Sequence, residues 1–202
     1  MPELKTLDDT TEASNPGSLR VSPRKLKAMH PELASPWAWA AHIIRERKTP
    51  GLSRTFWRTH IEEHLMHGDS RAAIVVSIDP LRIAAYTDEL DCVVLLEFDQ
   101  FYVSEYSLRV GSRLLTVNTY SSVERGYASD IVLGEFHGGN WGNYAPYIGE
   151  FLSDDVLVME QRKALISDDE WLRTTMLANE YRKTKGLIAR DGRPMHCAKP
   201  AF

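Results

Sequence analysis

The stretch "AAIVVSIDPLRIAAYTDELDCVVLLEF", residues 72–98, decides the fold. It holds three short apolar runs, 72–78, 82–87 and 92–98, each with β-branched residues. Asp79-Pro80 and "TDELD" (87–91) interrupt them. Short β-branched runs bounded by Pro and Asp read as strands. On the N-terminal side the period is helical. Ser22-Pro23 opens a short helix that ends near Met29, before Pro31. Ser35-Pro36 opens "PWAWAAHIIRERK" (36–48), with Thr49-Pro50-Gly51 as its stop. Ser53 caps "RTFWRTHIEEHLMH" (54–67), with Gly68 just past its end.

On the C-terminal side, residues 99–109 fit a helix and a strand equally well. "RLLTVNTY" (113–120) reads as a strand, residues 121–145 as Gly/Ser/Asn-rich loop, and "YIGEFLS" (147–153) as a last strand. Two helices follow. Ser167-Asp168-Asp169-Glu170 is a capping box for the second, which should run to about Lys185 with Gly186 as its stop. Helices, then strands, then helices predict the α+β class: N-terminal helices, a central mainly antiparallel sheet and C-terminal helices. Residues 1–19, acidic and without apolar periodicity, are expected to be a disordered tail that can be removed without loss of stability. Residues 20–202 are expected to form a single domain.

Composition narrows the class. Of 202 residues, 43% are hydrophobic and 26% charged, which is ordinary for a globular chain. Cys92 and Cys197 lie in no metal-ligand spacing and read as free thiols of a reducing compartment. The polar N-terminus is unlike a signal peptide, and no run reaches the ~18 apolar residues of a membrane span. A cytoplasmic protein without membrane contact is the expectation. Net charge is −4, made of −3 over residues 1–19, +5 over 20–48 and −6 over the rest. The acidic body disfavours nucleic acid, because it repels phosphates. The basic segment is expected to pack on the acidic body or to meet an acidic partner.

Two sets of residues suggest contacts. In the helix from Pro36, Trp37, Ala40, Ala41 and Ile44 fall on one face and are expected to be its core stripe. Trp39 and Ile43 form a second apolar strip and are the candidate partner-binding residues, for another protein or a second copy, with burial under the strands of the same chain as the other reading. "HGGNWGN" (137–143) lacks the Gly-Lys-Ser/Thr ending of a phosphate loop, but Asn140, Trp141 and Asn143 are candidates for a ligand-contacting loop.

The third set is chemical. His60, Glu63 and His64 are neighbours on one helix face, and His67 extends the row. Two imidazoles one turn apart can share a zinc ion, and an adjacent carboxylate can activate its water. His60-Ile61-Glu62-Glu63-His64 fits H-x-x-E-H and over these five residues resembles the inverzincin metallopeptidases. The resemblance implies zinc ligands at His60 and His64, a general base at Glu63, and a third, acidic ligand downstream, for which Glu124, Glu135 and Glu150 are open choices. The other reading is a plain amphipathic helix. His64 then lies on the apolar stripe with Trp57, Ile61 and Leu65, and His67 suits the helix C-terminal dipole. On that reading, removing His60 and His64 together should cost the fold little. Asp91, Glu97 and Asp99 flank one strand and could hold a hard cation, but solvated strand ends explain them better. No Gly-x-Ser-x-Gly elbow is present. The functional expectation is a non-enzymatic binding or regulatory protein without a cofactor. The alternative is a metal-dependent hydrolase built on His60, Glu63 and His64 with zinc.

Overall fold

The structure, a computed structural model, describes residues 13–46, 53–184 and 188–198. The predicted helix starts are where the sequence puts them. Helix α1 is Pro23–Met29, α2 is Pro36–Glu46 and α3 is Arg54–His67. The Ser53 hydroxyl accepts the Phe56 N–H at 3.1 Å, and the Ser22 hydroxyl the Lys25 N–H at 3.4 Å. The 3-10 turn Pro31–Leu33 joins α1 to α2. The expected stops at Thr49-Pro50-Gly51 and Gly186 lie outside the described residues.

Gly68 caps α3, though not through a left-handed backbone: its φ is −64°. A Cβ there would lie 2.6 Å from the His64 carbonyl oxygen and 2.8 Å from that of Asn118. Close approach of the helix end to the sheet requires the glycine.

The strands are β1 (Asp69–Ile78), β2 (Leu81–Thr87), β3 (Cys92–Phe98), β4 (Arg113–Ser122), β5 (Trp141–Ile148) and β6 (Arg190–Asp191). Their order is β5-β4-β1-β2-β3-β6, and every pairing is antiparallel except β3 with β6. The α+β class and the mainly antiparallel sheet are therefore present as expected. Both faces of the sheet are covered. Ile83, Ala85, Val94 and Leu96 enter the main core, while Ala84, Tyr86, Val93 and Leu95 pack with Ala178 and Tyr181 of α7 (Asp168–Lys183). This two-sided burial is why β2 and β3 read as unbroken apolar runs rather than alternating ones. Ser167 caps α7 through the Glu170 N–H at 3.1 Å. The Glu170 carboxylate does not complete the box but accepts the Ala72 N–H of β1 at 2.8 Å, fixing the start of α7 on the sheet.

One open choice is settled and two local expectations change. Residues Phe101–Glu105 form a short helix, α4. The expected loop before residue 145 yields at Trp141 to β5, and "YIGEFLS" is split between the end of β5 and a short helix α5 (Gly149–Leu152). Gly142 and Pro146 disguised β5. A Cβ on Gly142 would lie 2.2 Å from the Gly126 carbonyl oxygen, so a second backbone passes there. Pro146 is tolerated because β5 pairs with β4 alone. A further helix, α6 (Val156–Leu165), precedes α7.

The expectation of a disordered tail over residues 1–19 does not hold for its described part, residues 13–19. Residues 1–12 lie outside the described residues, but Asn15–Leu19 dock on the body. The Gly17, Ser18 and Leu19 N–H groups donate to the carbonyls of Gly68, Met66 and Leu65 at 2.9–3.1 Å, and Leu19 is fully buried. Backbone pairing and one leucine anchor the segment, and neither leaves an apolar period in the sequence. Deleting residues 1–19 is therefore expected to destabilise the fold by about 2–3 kcal/mol, set mainly by burial of Leu19. Deletion through residue 19 compared with deletion through residue 12, both followed by thermal melting, isolates the docked part.

The sheet curls until its ends approach. Arg190 of β6, fully buried, donates from Nη1 to the Tyr144 carbonyl of β5 at 2.8 Å and from Nη2 to Asn143 Oδ1 at 2.9 Å. Side chains rather than a backbone ladder close this seam. Tyr144 also crosses the interior, where its hydroxyl donates to the Ala85 carbonyl at 2.6 Å and accepts the Val94 N–H at 2.9 Å. That hydroxyl braces the β2–β3 pair from the opposite strand.

Candidate functional site

The row of histidines on α3 is pulled apart by burial. His64 is fully buried, its ring stacked on Tyr147 with centroids 3.4 Å apart. Its Nε2 lies 2.8 Å from the Val117 carbonyl oxygen and its Nδ1 3.1 Å from Thr119 Oγ1. A neutral imidazole satisfies both, donating from Nε2 and accepting at Nδ1. Neither nitrogen keeps a lone pair for a metal. Burial, followed by repulsion from His60, holds the His64 pKa well below the usual 6.5. His60 stacks on Phe56 with centroids 5.7 Å apart and meets His64 only edge to face at 6.2 Å. His67 is exposed and Glu63 half-buried. Among the described residues no group of three or more His, Cys, Asp or Glu is placed to hold a metal ion. The geometry thus does not bring His60, His64, Glu63 and His67 together as a zinc centre. It also argues against the expectation that removing His60 and His64 together costs the fold little, because the His64 ring is a bonded part of the core.

The loop candidates are likewise absorbed. Trp141 is buried at the start of β5 against Tyr120, at a centroid distance of 5.5 Å. Asn143 spends its side chain on the fold, accepting from Arg190 and donating to the Ala198 carbonyl at 2.8 Å. Asn140 alone remains exposed. The carboxylates around β3 are divided between its ends. Asp91 accepts both Arg173 Nε at 3.0 Å and Nη2 at 2.6 Å, and the Phe136 N–H at 3.1 Å. Glu97 and Asp99 open on a cleft at the far end.

The basic segment finds acids in its own chain. Arg20 pairs with Asp155 at 2.8 Å and Lys25 with Asp154 at 3.1 Å. Lys25 also donates to the Glu150 and Ser153 carbonyls at 2.9 and 2.6 Å. Both cysteines are buried and unpaired with each other. Among the described residues no helix is long and apolar enough to cross a membrane.

The main reversal is on α2. Trp39 and Ile43, the expected contact strip, are half-buried. Trp39 packs against the core and stacks on His42 at 5.5 Å. The expected core stripe faces outward instead: Trp37 is 86% exposed and Ile44 77%, with Ala40 and Ala41 exposed between them. The two strips are nearly opposite on a helix, so the pattern establishes that both are apolar without saying which is inside. The 3-10 turn Pro31–Leu33, against which α2 chiefly packs, makes that choice. The sequence thus marks the helix and its two apolar faces, but the stripe expected inside, Trp37 and Ile44, is the exposed one, and the Trp39 strip takes the inward of its two readings. Comparison with protein-family models, with curated proteins and with solved structures finds no match.

Proposed function

We propose that the chain is a non-enzymatic binding protein whose contact surface is the outer face of α2, and that a second copy of the chain is its occupant. The exposure of Trp37 and Ile44 on one face carries the reading. Tryptophan anchors contacts strongly because it removes a large apolar area from water. The order along the face is large, small, small, large: Trp37, Ala40, Ala41, Ile44. Two such helices crossing antiparallel at the alanines set each Trp37 over the other copy's Ile44. A surface that complements itself in this way suits a two-fold interface. Charge supports the same occupant. Arg45, Arg47 and Lys48 follow the strip in sequence, while residues 49–202 of every copy carry a net −6. Opposite charge steers encounter and makes association weaken with salt. One helix face is a small area, so the dimer is a weak one.

Sedimentation equilibrium tests this. Trp37→Ala is expected to weaken dimerisation at least about tenfold while leaving the melting temperature nearly unchanged. Trp39→Ala is expected to act oppositely, lowering fold stability by about 1–3 kcal/mol because its ring is packed inward. A wild type that stays monomeric at several hundred micromolar rules out the second copy, as does a dimer indifferent to Trp37→Ala.

A further inference from the structure

A cleft of about 800 Å³ opens between the end of α1, the end of β3, α4 and β6. Its volume falls in the range that holds a small organic ligand. Its lining combines aromatic rings, Phe98, Phe101 and Tyr102, with carboxylates, Glu97, Asp99 and Asp191. The pentapeptide Phe98-Asp99-Gln100-Phe101-Tyr102 supplies the three rings and one of the acids.

The rings form a corner. Tyr102 meets Phe98 at 67° and Phe101 at 71°, with centroids 5.9 and 5.6 Å apart. Phe101 is 55% exposed. The charges are not equivalent. Arg193, the one cation among the described residues that line the cleft, is bound by Asp191 through Nε at 3.0 Å and Nη2 at 2.6 Å, and the two cancel. Glu97 is shared with Arg82 at 2.9 Å. Asp99 has no ion-pair partner among the described residues, and its Oδ1 accepts only the Phe101 N–H at 2.8 Å. The cleft therefore keeps uncompensated negative charge, on Asp99, beside the exposed ring of Phe101. Negative ring faces and a carboxylate attract the same ligand, an organic cation, and repel an anion.

We propose that this cleft binds an organic ammonium ion, seated against the exposed Phe101 ring beside Tyr102 and neutralised by Asp99. Neither the α2 surface nor dimerisation is involved. The ammonium group could belong to a free amine or to a lysine side chain of a peptide, and the chemistry of the corner is the same for both. Calorimetric titration of the full chain with choline, with spermidine and with a short trimethyllysine peptide separates these sources, and benzoate serves as the anionic control. At least one of the three cations is expected to bind, and benzoate is not. Asp99→Asn is expected to weaken binding about tenfold, and Phe101→Ala about fivefold. Both side chains are exposed, and melting curves of the variants check that the fold is kept. Binding by the peptide alone identifies a lysine side chain as the source. Absence of binding by all three cations at 10 mM, or binding that neither variant weakens, overturns the proposal.

Discussion

Replacing Arg190 with methionine will lower the unfolding free energy by about 3–5 kcal/mol, the usual consequence of stranding one partner of a buried ion pair. Arg190 is fully buried and donates to Asp130 twice, from Nε at 2.7 Å and Nη2 at 2.8 Å. Its Nη1 also donates to the carbonyls of Tyr144 and Cys197. Without the guanidinium, the buried Asp130 carboxylate loses its counter-charge, and two carbonyls lose their donor. Urea unfolding measures the loss. Combining Arg190→Met with Asp130→Leu should recover a large part of it, because the desolvation penalty disappears with both charges. The Cys197 thiol gives an independent readout. Burial pushes its pKa up to about 12, so the folded protein resists thiol reagents. In Arg190→Met the segment that carries Cys197 loses its anchor, and labelling should accelerate at least tenfold. An unchanged urea midpoint with unchanged labelling would show that the seam is held by something else.

The second large effect is at His64. His64→Ala is expected to cost about 2–4 kcal/mol, through a cavity against Tyr147 and two unpaired groups, the Val117 carbonyl and the Thr119 hydroxyl. The same burial predicts a pH dependence. The folded pKa of His64 lies well below 6.5, so as pH falls below 6.5 the unfolded chain takes up a proton that the folded chain refuses. Stability should then decline with falling pH, by up to about 1.4 kcal/mol per pH unit for this one group. Asp69 acts with the opposite sign. Burial raises its pKa from 3.8 to about 6, so its contribution is fully present below 3.8 and is lost as pH rises through about 6. The two overlap in the acid range. The difference between the wild-type profile and that of His64→Gln isolates the histidine, because Asp69 is common to both. A difference that stays flat from pH 7 to pH 5 would mean that His64 carries no such burden.

The parts of the fold legible in sequence were those set by local chemistry. Ser22, Ser53 and Ser167 mark helix starts because a hydroxyl next to an unsatisfied N–H is a local arrangement. The apolar runs at 72–98 mark strands because both sheet faces are covered. Long-range geometry decided the rest. β5 was hidden by Gly142 and Pro146, whose presence depends on which backbone passes nearby and which strand is at the edge. Trp37 and Trp39 are equally apolar, and only the position of α2 on the turn at Pro31–Leu33 separates an inner from an outer tryptophan. His60 and His64 share a helix face in sequence, but the sheet beneath claims both nitrogens of one of them. The aromatic corner at 98–102 was least visible, because its chemistry arises from a cleft shared with α1 and β6. An acid between two phenylalanines is only a weak signal of that.

The side-chain seam has a consequence for how this molecule can meet its neighbours. A sheet edge is normally a template on which a foreign strand can assemble. Here two carbonyls of β5 are engaged from within: that of Gly142 by the Ala128 N–H at 2.9 Å and that of Tyr144 by Arg190. Pro146 offers no donor at all. At the other end, β6 lies along β3, and the Gly192 N–H holds the Glu97 carbonyl at 2.9 Å. An incoming strand meets occupied groups along part of the β5 margin, and at the other margin only the two-residue strand β6. Recruitment by strand addition, the route to domain exchange and fibre growth, is thereby disfavoured, and encounters are left to helices and clefts.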